Sequence, residues 1–167
     1  MSGARPPSPT KDKIMTLKLA SLASDLSKER DGEWIEPKEW PGLNPEKPME
    51  MTQLPGVAFH VRSTNYPPYV TARQTALEDL KKDFPDDQVP PEVAARIEGQ
   101  LAVEHLLLNW RGFDIAYSAD TVKVILASEE HRVLRSMIYW CAGRVGKRRV
   151  EFVKDAAKNS EAPSAGK

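Results

Sequence analysis

Asn109-Trp110-Arg111-Gly112-Phe113, followed by Tyr117-Ser118-Ala119-Asp120, is the stretch on which the reading of this fold turns. Three large rings crowd one short segment, and Trp and Tyr each combine a wide apolar area with a single polar handle. Gly112 admits backbone angles that a side chain forbids. Ser118 and Asp120 carry the signals of a helix start, a hydroxyl that accepts from free amides and a negative charge near the positive end of the helix dipole. The spacing predicts an aromatic turn between two helices, with Trp110 and Tyr117 packed together to hold the pair.

The flanking sequence supplies the helices. Pro90-Pro91 suits a first helical turn, and Ala94, Ile97, Leu101, His105 and Leu108 recur at intervals of three and four up to the Trp110 turn. Before it, Tyr69, Ala72, Ala76, Leu77, Leu80 and Phe84 form a helical stripe that follows Pro67-Pro68 and must stop at Pro85. Beyond the turn, Val122, Ile125 and Leu126 give an apolar face. Ser128 with Glu129-Glu130 repeats the start signal. The next helix places Val133, Met137, Trp140 and Cys141 on one side, widened by Leu134, Ile138 and Val145, a stripe broad enough to face other helices or a partner. Gly143 and Gly146 each weaken a helix by about 1 kcal/mol against alanine, so residues 147–158 read as a separate, bent or frayed segment, a basic helix end in which Lys147 and Glu151 form an i, i+4 pair.

The N-terminal side reads differently. Leu17, Leu19, Leu22 and Leu26 fit either a short helix or a strand and turn. Glu33-Trp34-Ile35-Glu36 is a short strand ended by Pro37, and Val57, Phe59 and Val61 alternate with Ala58, His60 and Arg62 in the period-two pattern of a half-buried strand. The two strands are expected to pair across a connection, residues 37–56, that is far longer than an ordinary hairpin loop. That connection holds Trp40, Pro41, Gly42, Pro45, Pro48, Met49 and Met51. It is either a functional loop or an insertion packed on its own domain. The expected fold class is α+β: a small antiparallel β-hairpin or sheet packed against a mostly helical C-terminal part. Residues 1–16 read as a disordered arm, 17–146 as one domain, and 147–167 as the basic helix end and a disordered tail.

Composition narrows the function. The chain has 167 residues, enough for one domain with a real core. Its 24 basic and 24 acidic side chains cancel, so no global field recruits nucleic acid or an anionic membrane. The single cysteine, Cys141, forms no intrachain disulfide and fits a reducing cytoplasm, where it reads as a small core hydrophobe. The N-terminus lacks the apolar region of a signal peptide, and nowhere do about eighteen apolar residues run together. The expectation is a cytoplasmic protein that is neither secreted nor membrane-spanning.

No reactive constellation stands out. The chain has no Gly-rich phosphate loop after a strand, no Gly-x-Ser-x-Gly elbow, no cysteine pair for zinc and no His-Glu-x-x-His helix. His60, on the polar side of its strand, reads as exposed and silent, and His105 as a core or rim residue. Glu129-Glu130-His131 reads as a solvated helix start, because consecutive helical positions do not face one another. The basic run Arg144, Lys147, Arg148, Arg149, Lys154 and Lys158 is interleaved with Glu151 and Asp155 and lacks the aromatic platforms of single-stranded nucleic-acid binding. No catalytic residue, metal or cofactor is implied, and this charge pattern argues against nucleic acid as a partner.

The motif Asn109-Trp110-Arg111-Gly112-Phe113 with Tyr117-Ser118 resembles the D/N-W-x-G-(F/V/I) turn and Tyr/Phe-Ser helix start of bacteriophage tail assembly chaperones of the siphophage type. The organisation upstream is also similar: Asp25-Leu26-Ser27-Lys28, then Gly32-Glu33-Trp34-Ile35, then Val61-Arg62-Ser63-Thr64-Asn65-Tyr66-Pro67-Pro68-Tyr69. The resemblance runs from about residue 17 to 146. Residues 37–55, which look inserted, and the basic run Lys147-Arg148-Arg149 depart from it. What it implies is a non-catalytic protein of the host cytoplasm that binds the tape measure protein and keeps it soluble before the tail tube polymerises, with the tail tube protein as an additional candidate partner. Candidate partner-binding residues are Trp40, Met49 and Met51 in the long loop, and Trp110, Phe113, Met137 and Trp140 near the helix junction. Monomer and ring both remain open. The rival readings are a virion structural protein, such as a tail completion or connector subunit, and a DNA-associated regulatory protein.

Overall fold

A computed structural model describes residues 15–154 of the chain. The arm expected over residues 2–13 and the tail expected over 159–167 lie outside the described residues. The chain divides into two compact units, Asp25–Gly146 and a smaller one built from the stretches before and after it.

The larger unit is α+β. Its three-stranded antiparallel sheet has β5 at the centre, between β2 and β6: β2 is Glu33–Ile35, β5 Ala58–Val61 and β6 Leu107–Arg111. The expected pairing of the first two is present, with Trp34 opposite His60 and Ile35 opposite Phe59. The long connection between them forms a second antiparallel ribbon, β3 Glu39–Pro41 with β4 Met51–Gln53. The helices of this unit are α1 Leu26–Asp31, α2 Pro67–Asp83, α3 Pro91–Leu101, α4 Ala119–Ala127 and α5 Arg132–Ala142.

Local chemistry sets these bounds. Asp25 accepts from the Lys28 amide at the start of α1, and Ser118 accepts from the Thr121 amide at the start of α4. Ser128 accepts from the Glu130 amide and opens a short 3-10 turn, Glu129–His131, that leads into α5. Pro67 and Pro91 open α2 and α3, and α2 stops two residues before Pro85.

The structure corrects the reading of the aromatic motif. Trp110 does not end a helix; it sits in β6, so the turn joins a strand to α4. The helical ladder of α3 ends at Leu101, passes through one wide turn at Ala102–Leu106, and becomes extended at Leu107. The reason is the outer edge of β5, whose buried backbone groups need partners. Leu106-Leu107-Leu108 supplies an apolar run that periodicity alone does not assign to helix or strand. Pairing of Asn109 with His60 and of Leu107 with Val61 leaves Leu108 opposite no residue, a bulge in β6.

One face of the sheet turns inward. Phe59, Val61, Leu106, Val122, Leu126, Ile138 and Cys141 are fully buried together, with Trp110 and Met137 at the margin of the same core. Small residues let α3 and α4 touch: Ala95 and Gly99 are buried, and a Cβ on Gly99 would strike the carbonyl of Leu126 and lie 2.8 Å from the Ala127 nitrogen. Arg135 ties the helices from inside. Its guanidinium donates to the carbonyls of Leu126, at 3.1 Å, and Ser128, and its Nε lies 3.6 Å from a Glu98 carboxylate oxygen.

In the smaller unit, β1 Met15–Leu17 pairs antiparallel with β7 Phe152–Lys154. This corrects two expectations. Met15 and Thr16, read as part of the arm, are strand, and the described residues after 146, 147–154, are extended rather than a basic helix end. The left-handed Gly146, at φ +78°, prevents continuation of α5, and Phe152-Val153 favours extended backbone. Glu151 pairs with Lys18 at 3.3 Å rather than with Lys147. The Leu17–Leu22 stretch resolves as strand followed by a 3-10 turn at Leu19–Leu22, where Ser21 donates to the Lys18 carbonyl and accepts from the Glu151 amide.

Candidate functional site

The seven residues singled out in the sequence fall into separate places. Trp110, Phe113 and Met137 meet in one groove. Trp110, 6 % exposed, forms its floor with Met137. The indole N–H donates to the Ile115 carbonyl at 2.9 Å, the ring lies 5.0 Å from Phe113, and Tyr117 stands edge-on to it at 6.1 Å. The expected Trp110–Tyr117 contact is therefore present, although it fastens a strand to the loop that leads into α4. Gly112, at φ +91°, makes the turn possible: a Cβ there would collide with the backbone of Gly56 and Val57, 2.7 Å from the Val57 Cα.

The walls come from residues that the sequence did not mark. Ile115 follows the turn, Ile125 comes from α4, and Val133 and Leu134 come from α5. Phe113, Ile115 and Val133 are 37 %, 46 % and 40 % exposed. The groove encloses about 350 Å³ and carries Asp114 and Glu130 among its lining residues. His131 lines it too, and its Nδ1 is enclosed without a hydrogen-bond partner among the described residues. Ile115 was legible as an apolar residue between two rings. Val133 and Leu134 read only as part of a helical stripe, and nothing in the sequence placed them opposite the turn.

Trp40 and Trp140, assigned to two different candidate surfaces, touch each other edge-on at 5.9 Å. The Arg144 guanidinium covers the Trp140 ring at 3.5 Å, a cation–π contact that satisfies both groups within the chain. Met51, opposite Pro41 in the ribbon, is 42 % exposed, and Met49 in the connecting turn is 90 % exposed. The ribbon is thus packed at Trp40 and bare at its methionines.

His60 departs from the exposed reading. It is half-buried and stacks on Trp34 with centroids 5.2 Å apart, and Arg111 lies 4.6 Å over the same indole while pairing with Glu36 at 3.5 Å. These residues cover the outer face of the sheet.

A second cleft, also of about 350 Å³, lies between α2, α3 and α5 and contains Tyr69, Tyr139, Glu98 and Arg135. Tyr139 donates to the Glu98 carbonyl at 2.7 Å. Burial, reinforced by the neighbouring Tyr69 and Glu98, pushes the Tyr139 phenol well above its ordinary value, and burial raises Tyr69 as well. Burial also pushes the Cys141 thiol up to about 12. All three groups are held protonated at neutral pH, the opposite of the tuning that a nucleophile or general base requires.

Among the described residues, no group of three or more His, Cys, Asp or Glu side chains is placed to hold a metal ion, and no helix is long and apolar enough to cross a membrane. Comparison of the chain with protein-family models, curated proteins and solved structures finds no match.

Proposed function

We propose that this chain is a non-catalytic tail assembly chaperone of the phage class that its sequence resembles, and that it holds the tape measure protein soluble until tail tube subunits enclose it. The observation that carries the reading is the groove. The same motif that carries the resemblance builds its floor and one wall, leaving Phe113, Ile115 and Val133 partly open to solvent over Trp110 and Met137. An apolar trough of this kind suits an amphipathic helix that presents anchors at i, i+3 and i+4, and the adaptable Met137 tolerates varied side chains. The client class fits this surface, because a long helical chain awaiting its tube has apolar faces that must be covered. The bare Met49 and Met51 of the ribbon offer a second, softer contact.

The test is co-expression with a long helical tape measure protein from the genome that encodes this chain. Wild-type protein is expected to raise the client's soluble yield, and Ile115→Ser with Val133→Ser is expected to abolish the gain. An unchanged client yield with wild-type protein would defeat the proposal.

A further inference from the structure

The groove is not electrically neutral. Its lining includes two carboxylates, Asp114 and Glu130, and, among the described residues, no lysine or arginine, although the whole chain balances 24 basic against 24 acidic side chains. Neither carboxylate forms an ion pair among the described residues. Their positions also matter. Asp114 sits in the loop between Phe113 and Ile115, and Glu130 sits in the turn that leads into α5, next to Val133 and Leu134. The apolar trough therefore has an acid on each of the two segments that flank it. Beside Glu130, His131 keeps Nδ1 enclosed and without a hydrogen-bond partner among the described residues, so this one polar atom of the wall is left free to take a partner.

We infer that the groove takes an amphipathic helix whose apolar stripe is bordered by lysine or arginine, and that Asp114 and Glu130 select it by charge. The inference rests on the groove being the client surface. Apolar contact with Phe113, Ile115 and Val133 supplies the attraction, while the carboxylates set which helices are accepted and in which orientation, as rim charges do at other interfaces. A helix bordered by acids places like charges against Asp114 and Glu130 and is rejected. The selectivity weakens as salt screens these exposed groups.

The experiment uses the full chain and two synthetic amphipathic peptides with one leucine-alanine stripe, bordered by lysine in one and by glutamate in the other. Binding is followed by fluorescence anisotropy. The lysine peptide is expected to bind roughly threefold to tenfold more tightly at low salt, the range for two exposed ion pairs. Asp114→Asn with Glu130→Gln is expected to remove the preference while leaving the apolar part of the affinity. Ile115→Ser with Val133→Ser, at partly exposed positions, is expected to lose both peptides, and circular dichroism of each variant confirms that it is folded. Equal affinity for the two peptides, both lost in the Ile115/Val133 variant, overturns the charge rule and leaves the groove reading standing. Peptide binding that the Ile115/Val133 variant does not change overturns both. A dimer of the chain alone that the same variant dissociates assigns the groove to a second copy and overturns the inference.

Discussion

The indole N–H of Trp110 donates to the carbonyl of Ile115 at 2.9 Å, so one side chain forms the floor of the groove and fixes the backbone of its wall. Removing the ring takes away a buried aromatic, its contacts with Phe113 and Tyr117, and its bond to that carbonyl. Trp110→Ala is expected to lower stability by roughly 3 to 5 kcal/mol, as large core truncations do. Trp110→Phe keeps most of the packing and loses the bond, and a smaller loss of about 1 to 3 kcal/mol is expected. Chemical denaturation measures both; a Trp110→Ala protein as stable as wild type would show that the strand-to-helix turn is held by something else.

Gly99 tests the contact between α3 and α4. Helix propensity alone makes Gly→Ala favourable by about 1 kcal/mol, yet a Cβ here meets the Leu126 carbonyl and the Ala127 nitrogen, which are backbone atoms. The steric term is expected to win, with a net loss of roughly 1 to 3 kcal/mol. A thermal melt in which Gly99→Ala raises the midpoint would contradict this packing.

Arg135 is 6 % exposed and bonds the Leu126 and Ser128 carbonyls. Arg135→Ala leaves those carbonyls without the charged donor at the junction of α4 and α5, and a loss of about 3 to 5 kcal/mol, for two charge-assisted hydrogen bonds, is expected. Glu98, whose side chain is 57 % exposed, contributes far less, because water screens its half of the pair. Denaturant midpoints for Arg135→Ala and Glu98→Gln should therefore differ widely, and equal losses would place the weight on the ion pair instead.

How much of this was legible in the sequence depends on what each signal measures. Caps and prolines act within one turn, so the starts of α4, of the turn before α5, and of α2 and α3 could be read from Ser118, Ser128, Pro67 and Pro91. The alternation at Val57, Phe59 and Val61 marked β5, and the pairing with β2 followed. The third strand did not follow, because its assignment depends on the unmet edge of β5 and not on its own residues. Leu101, His105 and Leu108 kept helical spacing by coincidence across the break at Leu101. For the site, sequence named the groove floor, Trp110 and Met137, and Phe113 in one wall, but not the wall at Val133 and Leu134. It also treated Trp40 and Trp140 as separate surfaces, since their contact joins residues from the ribbon and α5 that no local pattern relates.

Alkaline pH should unfold the protein through its buried acids. Burial raises Cys141 from its ordinary value of 9.0 to about 12 and raises Tyr139, Tyr69 and Tyr117 above 10.0. A folded-state value above the unfolded one means that the folded chain holds the proton more tightly. The stabilisation is complete below the unfolded values and is lost as pH rises through and beyond them. Stability is expected to be level near neutrality and to fall progressively above about pH 9. Urea midpoints across that range provide the check, and a flat profile up to pH 11 would contradict the burial of these groups.

The most direct measurement of the central claim is the amount of this chain in purified mature tails, counted by quantitative mass spectrometry against the tail tube protein. A chaperone that covers the tape measure protein is displaced as the tube closes around it, so the expected result is absence of the chain from finished tails and its presence in lysate bound to unassembled client. Stoichiometric retention in mature tails would contradict the chaperone account and identify the protein as a structural component of the particle.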